Sequence, residues 1–93
     1  MANWHNDLTD RLMDAIMKVE TREECYNLLE DLCTIKEIID MGQRLEVARL
    51  LNEGKSYQEI FGITGVSTAT ISRVNKCLTY GNGGYKSAIS KMD

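Results

Sequence analysis

The sequence predicts an all-α protein with a helix-turn-helix near residues 56–78, and three observations carry that prediction. Proline is absent from all 93 residues, so no position is barred from a helix interior by a missing amide and a clashing ring. Apolar side chains recur at spacings of three and four along nearly the whole chain, the signature of one face of a 3.6-residue helix. Three segments also begin with a Ser/Thr-x-x-Glu pair, at Thr21/Glu24, Thr34/Glu37 and Ser56/Glu59. In such a capping box the hydroxyl and the carboxylate satisfy amides that a helix start leaves without partners.

In the first helix Leu8, Leu12, Ala15, Ile16 and Val19 make a single apolar stripe. The second starts at Thr21 and places Cys25, Leu28, Leu29 and Leu32 inward. The third starts at Thr34 and runs to about Asn52. Its apolar residues, among them Ile35, Ile38, Ile39, Leu45, Val47 and Leu50, spread over more than one stripe. That pattern suits a central helix packed on several sides, one of them available to a second subunit. Gly54 is expected as a left-handed C-cap, with Lys55 setting positive charge at the negative end of the helix.

Ser56 then opens a short helix with Ile60 and Ile63 as core candidates, and Thr64-Gly65-Val66 interrupts it. Ser67 caps the next helix, which carries Ile71, Val74 and Leu78 on one face. The glycine permits the tight turn between two helices held roughly perpendicular, so these residues form a helix-turn-helix. Phe61, four residues before Gly65, departs from the small residue that close packing often requires there. From Thr79 to Gly84 the sequence breaks helical order, and residues 79–93 are expected to be a loosely held tail.

A chain of this length, 43% hydrophobic and 27% charged, fits one domain over residues 1–93, and association would enlarge its small core. A polar start and the lack of any run near ~18 apolar residues predict neither a leader nor a membrane span. Cys25, Cys33 and Cys77 are odd in number and widely spaced within helical patterns. They are expected as reduced, buried or partly buried thiols of a cytoplasmic protein. No pair matches a metal-ligand spacing, so no metal is expected. A lone histidine, His5, no nucleophile motif and no phosphate-cradling loop predict neither an enzyme nor a bound cofactor. The many carboxylates read as solvated helix faces.

Charge is divided unevenly. Residues 1–54 carry a net −6 and residues 55–93 a net +3, which together give the overall −3. Between Glu59 and Asp93 there is no carboxylate. A basic face on an acidic body fits a protein that meets double-stranded DNA. Thr68, Ala69 and Thr70, beside the cap Ser67, are short enough at the start of the second helix of the motif for the backbone to approach base edges. Ser72 lies on the same polar side, and Arg73 and Lys76 can reach phosphates. Tyr57 and Gln58 begin the helix that would cross the DNA backbone, where the Tyr57 hydroxyl is suited to a phosphate.

The segments Gln43-Arg44-Leu45 to Leu50-Leu51, Ser56-Tyr57-Gln58-Glu59-Ile60 and Ser67-Thr68-Ala69-Thr70-Ile71-Ser72-Arg73 resemble the Trp repressor superfamily. Glu24-Cys25-Tyr26, Glu30-Asp31-Leu32-Cys33-Thr34-Ile35-Lys36-Glu37 and Leu78-Thr79-Tyr80-Gly81 resemble its YerC/YecD group in particular. The match spans about residues 8–85. It implies a TrpR-like helical bundle, an intertwined homodimer whose N-terminal helices interlock and present two DNA-reading heads. It also tolerates a long side chain at Phe61. In the family's ligand pocket two arginines sandwich the indole of L-tryptophan, and the resemblance maps them to Arg44 and Arg73, with a pocket threonine at Thr70. The glycine after the second arginine is Val74 here, and a serine one turn on is Cys77. L-tryptophan is therefore not the expected effector, and the effector is left open.

The function expected is a homodimeric, sequence-specific DNA-binding regulator of transcription, a repressor. The alternative is a helical dimeric protein-interaction module that does not bind DNA.

Overall fold

The computed structural model describes residues 3–92. They form six α-helices: α1 (Asp7–Met17), α2 (Arg22–Leu32), α3 (Ile35–Asn52), α4 (Tyr57–Thr64), α5 (Thr68–Tyr80) and α6 (Gly84–Lys91). The chain divides into two compact units, Met1–Ile38 and Ile39–Asp93.

Local chemistry sets the helix starts. The Asn6 carboxamide accepts from the Thr9 amide at 2.9 Å, and the Thr9 hydroxyl accepts in return from the Asn6 amide at 2.8 Å. This is a capping box with threonine in place of glutamate, opening α1. At α2 the Thr21 hydroxyl accepts from the Glu24 amide as expected, whereas the Glu24 carboxylate reaches one residue further back and accepts from Glu20. The Thr34/Glu37 and Ser56/Glu59 boxes close in both directions. At the far end of α3 the Gly54 amide donates to the Leu51 carbonyl and the Lys55 amide to that of Leu50. These are the two bonds of a Schellman C-cap.

The capping carboxylates make stability depend on pH. The backbone amide of Ser56, and then its hydroxyl, hold the Glu59 carboxyl below the usual carboxylate range, with Lys55 adding to the effect; Thr34 lowers Glu37 in the same way. A carboxylate with a depressed folded-state pKa contributes stability that is present above its unfolded pKa and lost as pH falls through the folded value. Glu59→Ala should therefore lower the urea midpoint at pH 6, and the gap to the wild type should narrow by pH 3.

In the N-terminal unit no residue of α1 or α2 is buried. Leu8 is 73% exposed, Met17 81% and Tyr26 57%. The inward placement expected for Cys25, Leu28, Leu29 and Leu32 is thus not met within the chain: Cys25 and Leu32 are exposed, and Leu28 and Leu29 are half-buried. The stripes exist as drawn, with Leu12, Val19, Leu28 and Leu29 half-buried and the rest of each stripe exposed. The cysteine expectation is likewise corrected, since Cys25 and Cys77 are exposed and only Cys33 is half-buried.

The C-terminal unit holds the core. Val47, Ala48 and Leu50 of α3, Ile60 of α4, Val66 of the turn, and Ile71 and Val74 of α5 form one buried cluster. Leu78 is buried as well. Ile63, a core candidate by spacing, is 59% exposed; Ile60 alone supplies the buried side chain of α4.

The tail expected to be loose is helical instead. α6 packs against α5, and its Tyr85 and Ile89 lie on the core cluster. The turn into it depends on Gly81, whose amide donates to the Cys77 carbonyl at 2.9 Å. A Cβ there would sit 2.3 Å from that same carbonyl oxygen. Gly81→Ala must open the last turn of α5, and we expect it to cost on the order of 1–3 kcal/mol, as overpacking does, read as a fall in the urea midpoint.

Candidate nucleic-acid interface

Helices α4 and α5 pack directly on each other, and the three residues between them fix the turn. Gly65 ends α4 in the left-handed region at φ +72°, where a side chain would cost roughly 1–2 kcal/mol. Its amide donates to the Phe61 carbonyl at 2.8 Å. The Thr64 hydroxyl donates to the Ile60 carbonyl and accepts from the Val66 amide, at 2.8 and 3.1 Å, so the turn closes on itself while Val66 is buried. Ser67 then caps α5 by accepting from the Thr70 amide at 3.3 Å, and its hydroxyl lies 3.2 Å from that of Thr70.

Ile71, Val74 and Leu78 anchor α5 to the core, which leaves the opposite face to solvent. Ala69, Arg73, Lys76 and Tyr80, spaced by four, three and four residues, share that face and are all exposed. Thr68 is exposed on one flank. Thr70 and Ser72 are half-buried, and Thr70 is further held by its hydroxyl contact with Ser67. Gln58 is exposed at the head of α4 and Tyr57 is half-buried there, packed on the core.

Electrostatics favour the same face. Among the described residues no ion pair involves Arg73, Lys76, Lys86 or Lys91, all of them exposed. Arg49 of α3, by contrast, is fully engaged. Its guanidinium donates to both Glu46 oxygens at 2.8 and 2.7 Å and pairs with Glu53. The Arg49 hydrogen bond lowers the Glu46 carboxyl despite its partial desolvation, and the same bond raises the guanidinium. Arg49 therefore braces its own helix.

The residues mapped to an effector pocket are not joined. Arg44 is half-buried on α3 and Arg73 exposed on α5, and among the described residues no hydrogen bond or ion pair links either of them to Thr70 or to the other. Val74 is only 1% exposed and belongs to the core cluster. A shallow cavity of about 440 Å³ opens beside Cys77, Gly81, Asn82, Gly84 and Tyr85 at the α5–α6 corner.

Two further residues of α5, Tyr80 on this face and Asn75 on the side toward α4, are not assigned to the interface by the sequence pattern. Tyr80 is 84% exposed, and extending the Ala69, Arg73, Lys76 stripe by four residues would have found it. Asn75 is half-buried, and its Nδ2 donates to the Tyr57 hydroxyl at 3.2 Å. No local pattern signals that bond, which spans 18 residues.

Comparison with known proteins agrees with this architecture. Residues 7–93 match the family model described as Trp repressor protein. The chain is 52% identical over 83 residues to the uncharacterized protein YerC of Bacillus subtilis (strain 168), covering 89% of this chain and 80% of that one. The crystal structure of a TrpR-like protein from Eubacterium eligens ATCC 27750 is similar at a TM-score of 0.89 and 44% identity, covering 92% of this chain and 89% of that one. A second crystal structure, from Staphylococcus aureus, gives a TM-score of 0.90 at 44% identity over 95% of this chain and 88% of its own.

Proposed function

The chain belongs to the Trp repressor family, and from that membership we propose that it is a homodimeric, sequence-specific double-stranded DNA-binding protein that represses transcription. The observation that carries the reading is α5, anchored by buried Ile71, Val74 and Leu78 while Ala69, Arg73 and Lys76 stand exposed, the two cations without ion-pair partners among the described residues. A helix held this way can enter a major groove, with short side chains near its start meeting base edges and cations further along meeting phosphates. Ser67, Thr68, Ala69, Thr70 and Ser72 form the base-facing group in this reading. Arg73 and Lys76, with Tyr57 and Gln58 at the head of α4, form the phosphate-facing group.

Self-association is supported by the N-terminal unit. Two helices that bury none of their residues have too little core to stay ordered alone. A second copy would cover their stripes and bring two copies of α5 to one duplex, with half-sites roughly one DNA turn apart, ~34 Å.

Binding of a mixed-sequence duplex across a salt series tests the DNA reading. Affinity should fall steeply as salt rises, because each neutralised phosphate releases a counterion. Lys76→Ala should weaken binding about equally on all sequences and reduce the slope by about two, one phosphate contact per half of the dimer, whereas Thr68→Val and Thr70→Val should change which bases are preferred. A folded dimer that ignores DNA but captures a protein partner would favour the interaction-module alternative.

L-tryptophan should leave DNA affinity unchanged. A ligand shifts an equilibrium only by its differential affinity for the two states. At Val74 the chain's own side chain fills the core, and the Cys77 thiol is a weak hydrogen-bonding partner for an ammonium group. Micromolar binding with a tenfold gain in DNA affinity would restore Arg44, Thr70 and Arg73 to ligand roles.

A further inference from the structure

Tyr57 is the first residue of α4, its side chain half-buried against the core, and Asn75 lies midway along α5. The bond from Asn75 Nδ2 to the Tyr57 hydroxyl, 3.2 Å long, joins the two helices of the motif across 18 residues of sequence, whereas the capping bonds and ion pairs described above span three to five. A phenolic hydroxyl has one proton and two acceptor lone pairs, while a carboxamide nitrogen only donates. With Asn75 filling one lone pair, the phenolic proton cannot point at Nδ2. Among the described residues the Tyr57 hydroxyl donates to none. Its proton is left for an acceptor from outside the chain, and half-buried Tyr57 stands at the end of α4 that the DNA-binding reading sets over the sugar-phosphate backbone.

We propose that Asn75 is a positioning residue that orients the Tyr57 hydroxyl as a neutral hydrogen-bond donor to a DNA phosphate oxygen. The inference rests on the DNA-binding reading and adds to it a residue, Asn75, that acts through another. The charged residues nearest Tyr57 in sequence are Glu59, which would repel a phosphate, and Lys55, which offsets it. Glu59 is occupied by the Ser56 amide, and Lys55 is close enough to act on its carboxylate. Because the donor is uncharged, it adds affinity without displacing a counterion. Its removal must therefore change the affinity and leave the salt slope alone, which separates it from Lys76.

The test uses the full chain, a mixed-sequence duplex and a salt series on the wild type, Tyr57→Phe, Asn75→Ala, Asn75→Asp and the Tyr57→Phe/Asn75→Ala pair, with urea midpoints measured alongside. A hydrogen bond to a charged group, lost once in each half of the dimer, predicts that Tyr57→Phe weakens binding on the order of a hundredfold on every sequence, with the slope of log affinity against log salt unchanged. Asn75→Ala should lose less, since the hydroxyl stays but is no longer aimed. Asn75→Asp should lose at least as much as Tyr57→Phe, because its carboxylate captures the phenolic proton. The pair should lose no more than Tyr57→Phe alone, the non-additivity of residues that act as one unit. Replacing single phosphates by neutral methylphosphonates should expose one position in each half-site that weakens the wild type and leaves Tyr57→Phe indifferent.

Additive losses in the pair, a Tyr57→Phe variant that binds as the wild type does, or affinity losses that track the urea midpoints would each overturn the proposal. Wild-type protein that binds no duplex at any salt would overturn the DNA-binding reading beneath it. Wild-type protein that binds DNA while Tyr57→Phe and Asn75→Asp match it would remove only the Tyr57–Asn75 role.

Discussion

Truncating Ile71 to alanine is expected to destabilise the C-terminal unit by about 2–5 kcal/mol, the cost of deleting a buried aliphatic side chain and leaving a cavity behind. Ile71 is 0% exposed and meets residues of α3, α4 and the turn within a single cluster of seven buried side chains. Typical domains have only about 5–15 kcal/mol in total, and so small a core places this unit near the lower end. Most of its stability would go in one substitution. DNA affinity should disappear with it, because the outward residues of α5 are aimed only while its inward residues are held. Arg73→Ala is the contrasting control: the residue is exposed and outside the core, so it should lose DNA affinity with an unchanged urea midpoint. Thermal and urea unfolding of the two variants beside their DNA-binding curves measure both halves. An Ile71→Ala variant as stable as the wild type would mean that the core is not where the structure has it.

The second large effect concerns assembly. Leu8 and Ile16 of α1 are 73% and 42% exposed in the single chain, and each would be covered by a second copy in the proposed dimer. Burying such a side chain is worth about 1.5–3 kcal/mol, and two-fold symmetry counts every substitution twice. Leu8→Glu/Ile16→Glu therefore removes four apolar side chains from a dimer and adds four charges, and counting only the surface still exposed in the single chain gives an expected loss of roughly 3–7 kcal/mol on the same scale. Sedimentation at micromolar concentration should move from the mass of two chains to that of one, with helical circular dichroism falling as α1 and α2 lose their cover. A wild type that sediments as a single folded chain would contradict the dimer outright.

How much of this was legible in the sequence depends on how local the cause is. The caps at Thr21, Thr34 and Ser56, the C-cap at Gly54 and the turn at Gly65 each rest on residues within five of one another, and spacing alone finds them. Ile71, Val74 and Leu78 were legible for a related reason, since helical period decides which residues share a face. Burial is a different matter, because it depends on what lies opposite. Leu32 has the spacing of an inward residue and is nonetheless 52% exposed. Ile63 stands three residues from Ile60, on the same side of α4 by spacing, and is 59% exposed where Ile60 is fully buried.

The helix α6 was hidden by the glycines before it, which suggest a break in order and in fact build a turn. Gly81 admits the close carbonyl approach, and Gly83, at φ +83°, starts the helix. Only Tyr85 and Ile89 then tie that helix to the core, too short a pattern to distinguish from a tail. Asn75 lay beyond reach for the opposite reason. Its partner is 18 residues away, and an asparagine inside a helix looks the same whether it faces water or a tyrosine.

If a symmetric pair of α5 helices reads sequence, selection of duplexes from a random-sequence pool by the purified wild-type chain should enrich a two-fold symmetric motif whose half-sites lie about one helical turn apart, 10–10.5 base pairs between centres, with preferences that shift for Thr68→Val. A pool that emerges with no enriched sequence would contradict that reading.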